Sequence, residues 1–385
     1  MANRFWVGGS GTWNASSTAN WSATSGGAPG ASAPNAADAA IFDGNSGGGV
    51  ATTSGNLSII SINMQAANTT GITLGGSMTL SGNCTHGART LDLNNNVLTC
   101  AVFATNNSVV RTLAFGSTGE IVVTGNNAAV YSSSTATNLT VTGTPKVTLN
   151  YAGSTGTRSI NAGGVASYSG SNPKINFNIT AGADIVSLGG NNVFGSVNFT
   201  GFTGSYGFTT TDPQFFGNLT FGSGMTGPSS ATRSLRLMGT SGTQTVTSNG
   251  VTIGSGITCE GGATYTFADA LTQGATRAFN WTAGTIKLKN GVTSTVGAFG
   301  TFGTSQKFLQ SSVAGSQATL TQVGGVVNAS YLTIQDIKAV GGTTWNSFTN
   351  RRNIDDGNND GWNFLSIPYP VFGSIFRLIF KPVIQ

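Results

Sequence analysis

Charged residues are scarce in this sequence. They make up 8% of its 385 residues, with 17 Lys and Arg against 12 Asp and Glu, whereas soluble domains usually carry ~25%. The longest basic run is the pair Arg351–Arg352. Because nucleic-acid-binding proteins need a clustered basic face, we expect no nucleic-acid partner. The low charge does not indicate disorder, since disordered chains are poor in aromatic residues and this one has 22 Phe and 6 Trp.

Side chains that carry catalysis or bind metals are equally few. His86 is the single histidine, too little for a His-based nucleophilic triad or a multi-His metal site, and we expect it in a turn beside Cys84. Glycoside hydrolysis requires two carboxylates ~5–10 Å apart. Stacked turns could bring Asp184, Asp212 or Glu260 together, but nothing pairs them in the sequence. We therefore predict that the protein is not an enzyme, with a polysaccharide depolymerase as the alternative.

Cysteine is limited to Cys84, Cys100 and Cys259, with no Cys-x-x-Cys pair. Cys84 and Cys100 could lie on successive turns and form a disulfide. Small buried thiols that face a β core are the favoured interpretation, because a free cysteine packs as a small apolar side chain.

The sequence also shows no recognisable export signal and no apolar stretch long enough to span a membrane. Residues 1–9 show no charged region followed by an apolar one, so no signal peptide is expected. The most apolar stretch, near the C-terminus, is too short to span a membrane. A Gly-, Thr- and Asn-rich β chain would ordinarily be an exported adhesin. A bacteriophage structural protein needs no export signal, because it acts outside the cell after lysis. This favours a virion location, although a trimmed chain on a bacterial cell surface would look the same.

Glycine is abundant, with 57 residues, and short alternations of Thr, Val, Ile and Phe fill the chain. This period of two is typical of strands, and no stretch before residue 370 has a helical period. Val193–Phe199 and Phe215–Phe221 share one aromatic-Gly-polar-apolar pattern and begin 22 residues apart. Strands this short cannot bury themselves, and a repeat of ~20–29 residues is the length of one solenoid turn.

We therefore predict an all-β fold, a β-solenoid rod with short strands. At ~20–25 residues per turn the body would have ~11–14 turns and a length of ~50–70 Å. A string of β-sandwiches is the alternative, although no ~100-residue unit repeats. The predicted organisation is a Trp-rich N-terminal cap at 1–47, a solenoid body at 48–298, a C-terminal β segment at 299–364 and an apolar tail at 365–385.

The N-terminal block places Trp6, Trp13 and Trp21 seven and eight residues apart. They could form a sugar-stacking platform, but a solenoid's first turn needs an apolar plug against water, which is the favoured interpretation. The block also contains, in this order, Trp13, Asn20–Ser22, Pro34 and Asp38–Phe42. In these residues it resembles the opening of autotransporter-type β-strand repeats.

The C-terminal β segment contains four short elements, Tyr331–Asp336, Gly341–Gly342, Trp345 and Gly357–Phe364. They resemble the Tyr-Leu-Thr-Ile-x-Asp, Gly-Gly, Trp and Gly-Asn-Asn-x-Gly-Trp-x-Phe elements in the closing segment of a widespread group of phage and bacterial-surface β-helix proteins. Asn346–Asn350 departs from the group's usual small-residue run. The resemblance implies a surface-display scaffold in a virion or cell envelope. The expected function is a tail fibre, spike or decoration subunit, with a bacterial surface adhesin as the alternative. The expected partners are other virion proteins, further copies of the chain in a trimer, and host-surface glycan.

Asp356, Asn358 and Asp360 match the first half of a calcium loop. The position of the bidentate Glu is occupied by Ile367, so a solvated Asx-rich turn is favoured over bound calcium. No other cofactor is expected.

The tail breaks the β pattern. At 100° per residue its apolar side chains share one side, and Pro368, Pro370 and Pro382 bracket the segment. We predict a short helix that docks either into the open end of the solenoid or into a neighbouring subunit or portal-like partner. The residues on the predicted docking side are Phe372, Ile375, Phe376, Ile379 and Phe380.

Overall fold

The computed structural model describes residues 1–135, 137–163, 173–189, 192–208, 211–228 and 233–364. Short parallel strands stack into a three-sided rod, which confirms the predicted β-solenoid and excludes the string of sandwiches. In these residues the helix content is one 3-10 turn, Thr349–Arg351, and no helix has the length and apolarity of a membrane span. The predicted tail helix, with Phe372, Ile375, Phe376, Ile379 and Phe380, lies outside the described residues and stays a prediction.

The chain visits three faces in the same order on every complete turn. Face 1 consists of two consecutive sheets: β3 Trp21–Ser22, β1 Ala2–Trp6, β4 Asp38–Phe42, β7 Ser61–Met64, β10 Asn83–His86, β13 Val102–Ala104, β16 Tyr131–Ser132, β19 Thr157–Asn161, β21 Ile185–Ser187 and β24 Ser205–Gly207, then β29 Thr252–Ile253, β32 Thr272–Gln273, β35 Thr293–Val296, β38 Ala318–Asn328, β40 Ile337–Asn346 and β42 Trp362–Asn363.

Face 2 also has two sheets: β2 Gly11–Trp13, β5 Val50–Thr53, β8 Gly71–Thr73, β11 Arg89–Asp92, β14 Arg111–Ala114 and β17 Leu139–Thr142, then β22 Val193–Phe194, β25 Gln214–Phe215, β27 Ser234–Leu237, β30 Gly256–Cys259, β33 Ala278–Trp281 and β36 Ala298–Thr301.

Face 3 is one continuous sheet of 14 strands, which at ~4.8 Å per strand makes it roughly 60 Å long. Its strands are β6 Leu57–Ile59, β9 Met78–Leu80, β12 Val97–Cys100, β15 Glu120–Val123, β18 Lys146–Asn150, β20 Asn176–Ala181, β23 Val197–Asn198, β26 Leu219–Thr220, β28 Thr243–Thr247, β31 Thr264–Phe267, β34 Thr285–Leu288, β37 Lys307–Ser311, β39 Leu332–Gln335 and β41 Ile354–Asp355.

The alternating pattern decides which side chains enter the core. On face 3, Leu98, Ile121 and Val147 are ladder partners on three successive turns, and all three are fully buried. Their neighbours along each strand point outward. Repeating this arrangement produces one hydrophobic core that runs from Trp6 to Trp345 without interruption.

The 22-residue repeat is one turn of the rod. Val197 pairs with Leu219 in the ladder, and the rings of Phe199 and Phe221, which are also 22 residues apart, stack with centroids 6.1 Å apart. Gly217 follows Phe216 at a corner where a Cβ would lie 2.7 Å from the backbone nitrogen of Ser196 and 2.8 Å from the carbonyl carbon of Gly195. Only glycine lets the two corner backbones approach this closely.

Buried amide side chains bind backbone groups that the ladders leave unpaired at the corners. Gln244 accepts from the amide of Gly239 at 3.0 Å and donates to the carbonyl oxygens of Phe215 and Gly217. Such pairing is required because an unpartnered buried backbone group is costly. Asn192, Gln273 and Asn353 make equivalent sets of bonds.

Candidate functional site

The three N-terminal tryptophans form a buried cluster with Phe42. The ring centroids of Trp6 and Trp21 lie 5.2 Å apart, those of Trp13 and Trp21 lie 5.0 Å apart, and Phe42 lies 5.9 Å from Trp21. All four side chains are fully buried. The cluster covers the end of the core, and its rings offer no face on which a sugar could stack.

The loop with the half calcium motif makes hydrogen bonds within itself and to neighbouring turns. Asn358 Nδ2 donates to Asp336, and Asp360 Oδ2 accepts from Gln317 Nε2 at 3.3 Å. Within the described ranges no group of three or more His, Cys, Asp and Glu side chains could hold a metal ion. Calcium binding by Asp356, Asn358 and Asp360 stays the less favoured alternative to a solvated Asx-rich turn.

Two of the carboxylates considered for hydrolysis are held by arginines. Asp184 pairs with Arg158 at 2.7 Å, and both side chains are fully buried. Glu260 forms a bidentate pair with Arg236, one contact being 3.0 Å, and this hydrogen bond raises the pKa of Arg236. Asp212 accepts from the backbone amide of Ser234 at 3.0 Å. Stacking therefore pairs these carboxylates with cations and amides rather than with each other.

The three cysteines are buried free thiols. Cys84 and Cys100 lie on faces 1 and 3 of the same turn, not on successive turns as the sequence suggested. Burial raises the pKa of Cys100 to about 12 and places that of Cys84 well above its usual range. All three pack in the hydrophobic core as small apolar side chains, as the favoured interpretation predicted.

The corner between faces 1 and 2 contains a groove. The connections β7–β8 and β13–β14 each have six residues, 65–70 and 105–110, whereas β10–β11 between them has only two, 87–88. The short connection is recessed between its longer neighbours. The resulting corner groove, of about 390 Å³, is lined by residues 66–69, 88–90 and 109–112.

The lining of the corner groove is apolar and basic. Val110 is 71% exposed and Val109 38% exposed in its upper wall. Arg89 lies at the floor with a left-handed backbone (φ 64°) and is exposed, although it has the same strand parity as the buried Leu91. Among the described residues, the lining includes no Asp or Glu.

A buried hydrogen-bond chain supports the floor. Arg111 Nε donates to Thr105 Oγ1 at 2.8 Å, which lies 3.3 Å from His86 Nδ1, and His86 Nε2 lies 2.9 Å from the carbonyl oxygen of Arg89. Since a carbonyl only accepts, His86 is the Nε2–H tautomer and Thr105 donates to Nδ1. The chain fixes the backbone of Arg89 in the orientation that turns its side chain outward.

His86 is expected to titrate far below the usual histidine range. Burial chiefly, with a contribution from Arg111, lowers its pKa from 6.5 to about 4. As the pH falls from 6.5 to 4, the unfolded chain gains a proton that the folded chain excludes, so the free energy of unfolding decreases by about 3 kcal/mol. NMR of the single histidine measures the folded-state pKa directly, and His86→Gln should lose this part of the pH dependence. Titration near 6.5 would contradict the buried, neutral assignment.

The fold defines the chain as a β-solenoid protein. Comparison with known proteins finds no family model, no curated protein and no solved structure that matches it.

Proposed function

We propose that this chain is a bacteriophage virion structural protein: a tail fibre, spike or decoration subunit that presents a rod to the host surface or to neighbouring virion proteins. The observation that carries the proposal is the continuous three-sided rod with a single core. A rod that grows in one dimension suits an appendage, because each turn adds length while contacting only its neighbours.

The two sequence resemblances support a display scaffold. The autotransporter-type segment contributes Trp13, Trp21 and Phe42 to the closed N-terminal end. The segment similar to phage and bacterial-surface β-helix proteins forms β39 to β42 at the other end. We propose that the rod assembles as a homotrimer, with residues 365–385 available to contact a rod end or another virion protein.

We also propose that the rod acts by contact and not by catalysis. The pairing of Asp184 with Arg158 and of Glu260 with Arg236 supports this, because each carboxylate is occupied by an arginine. Glycoside hydrolysis requires two carboxylates that face one substrate bond.

Immunogold electron microscopy tests the proposal. Antibodies against the purified rod are applied to a lysate of the bacterium whose DNA encodes the chain. We expect gold particles on the appendages or shell of virions. Gold confined to the bacterial envelope, with virions unlabelled, would favour the alternative surface adhesin.

A further inference from the structure

We propose that the corner groove binds a carboxylate-bearing saccharide, with Arg89 binding the carboxylate. This inference rests on the proposed function. It names the chemical class of host-surface glycan that the rod contacts.

Charge is the first argument. Arg111 also lines the groove, but its guanidinium is committed to the rod: it donates to Thr105, to the carbonyl oxygens of Val109 (3.1 Å) and Thr137 (3.0 Å), and to that of Thr135. Within the part of the chain that the structure describes, the side chain of Arg89 makes one long bond, from Nε to the carbonyl oxygen of Asn68 at 3.4 Å. Its exposed guanidinium therefore keeps donors for a ligand, and a carboxylate matches their planar geometry.

Shape and polarity are the second argument. The volume of about 390 Å³ is at the small end of ligand sites, which suits a short saccharide better than a folded partner. The walls combine Val109 and Val110 with the hydroxyl-bearing Thr69, Thr90 and Thr112. A sugar ring has both kinds of surface, since its C–H groups pack on apolar side chains while its hydroxyls bind polar ones.

Preorganisation is the third argument. The left-handed backbone of Arg89 is uncommon for a residue with a side chain, and the chain from Arg111 through Thr105 and His86 holds it. Because the backbone of Arg89 is already held in this conformation, it loses little freedom on binding. His86 is a positioning residue in this arrangement, since the part of Arg89 that it contacts is the backbone carbonyl oxygen and not the guanidinium.

The experiment measures binding of the full chain to matched probes by isothermal titration calorimetry. The carboxylated probes are oligomers of galacturonate, glucuronate and sialic acid. Methyl-esterified oligogalacturonate has the same rings without charge, and triglutamate carries carboxylates without sugar rings. We expect saturable binding to at least one carboxylated saccharide, and affinity for its ester or for triglutamate at least about tenfold weaker, as for loss of a charge-assisted hydrogen bond.

Two sets of variants locate the site. Arg89→Asn removes the charge while asparagine tolerates the left-handed backbone, and we expect affinity to fall at least about tenfold. Arg233→Asn makes the same change at an exposed position on a later turn and should have no effect. Val110→Glu should weaken binding and Val110→Lys should retain or strengthen it, a difference that steric blocking cannot produce.

Three outcomes would overturn the inference: no saturable binding to any carboxylated saccharide, equal binding of the ester or triglutamate, or equal affinities of Arg89→Asn and the unmodified chain. Binding of the labelled rod to host cells separates this inference from the proposed function. If the Arg89→Asn rod still binds host cells, the rod attaches to cells but the groove is not the site of attachment. If Arg89→Asn abolishes saccharide binding but antibodies against the rod label no virion, the groove is supported and the virion assignment is contradicted.

Discussion

Asp184→Asn is expected to destabilise the middle of the rod by about 3–5 kcal/mol, the range for removing one partner of a buried ion pair. Arg158 donates to both carboxylate oxygens, at 2.7 and 2.8 Å, and to the carbonyl oxygen of Ala181 at 3.0 Å. Tyr151 and Phe202 flank its guanidinium at 5.5 and 5.7 Å. The variant would leave this charge buried without a counter-ion.

Hydrogen exchange and guanidinium unfolding measure the effect, which should concentrate on β19, β21 and β24 because each turn contacts only its neighbours. Glu260→Gln is the matched control. It breaks an arginine–carboxylate pair whose side chains are 31% and 25% exposed, so we expect at most about 1 kcal/mol. The double variant Arg158→Met, Asp184→Leu should regain much of the loss, since no charge remains buried. Equal effects of Asp184→Asn and Glu260→Gln would contradict this account.

Trp21→Ala is expected to open the N-terminal end of the rod, with a loss of about 3–5 kcal/mol for a large buried aromatic. Trp21 contacts Trp6, Trp13 and Phe42 with ring centroids 5.0 to 5.9 Å away. Without this side chain the first turns lose the apolar cover that separates them from water.

Amide exchange in β1 and β4, and the wavelength of tryptophan fluorescence, measure this opening. Trp21→Phe is the control. The indole Nε1 of Trp21 is buried without a hydrogen-bond partner among the described residues, so phenylalanine keeps most ring contacts and removes an unsatisfied donor. We expect this variant to be much closer to the unmodified protein. Unchanged exchange in β1 and β4 after Trp21→Ala would show that the cluster does not protect the end.

The rod and its repeat were predictable because their signals are local. Alternation of period two identifies a strand from a few residues, and the recurrence of Val193–Phe199 at Phe215–Phe221 identifies the length of a turn. The burial of the three tryptophans was also predictable, because the first turn of a solenoid needs an apolar plug against water. The predicted tail helix also depended on a local pattern, the helical period of its apolar side chains.

The corner groove and the Arg158–Asp184 pair were not predictable in this way. Both depend on which residues of different turns lie side by side, and the repeat is too degenerate for the sequence to specify that register. His86 shows the difference: the sequence placed it in a turn, but Thr105 and the carbonyl oxygen of Arg89 become its partners only when β10, β11 and β13 stack.

From the sequence by itself came the strands, their period and the apolar cover at one end, because adjacent residues determine these. Only the tertiary structure decided where a two-residue connection lies between six-residue ones, and therefore where the rod has a groove and which arginine faces it. The physical reason is that a parallel ladder joins residues of different turns, which lie 17 or more positions apart in the sequence. A recess forms where one turn has a shorter connection than the turns on either side of it.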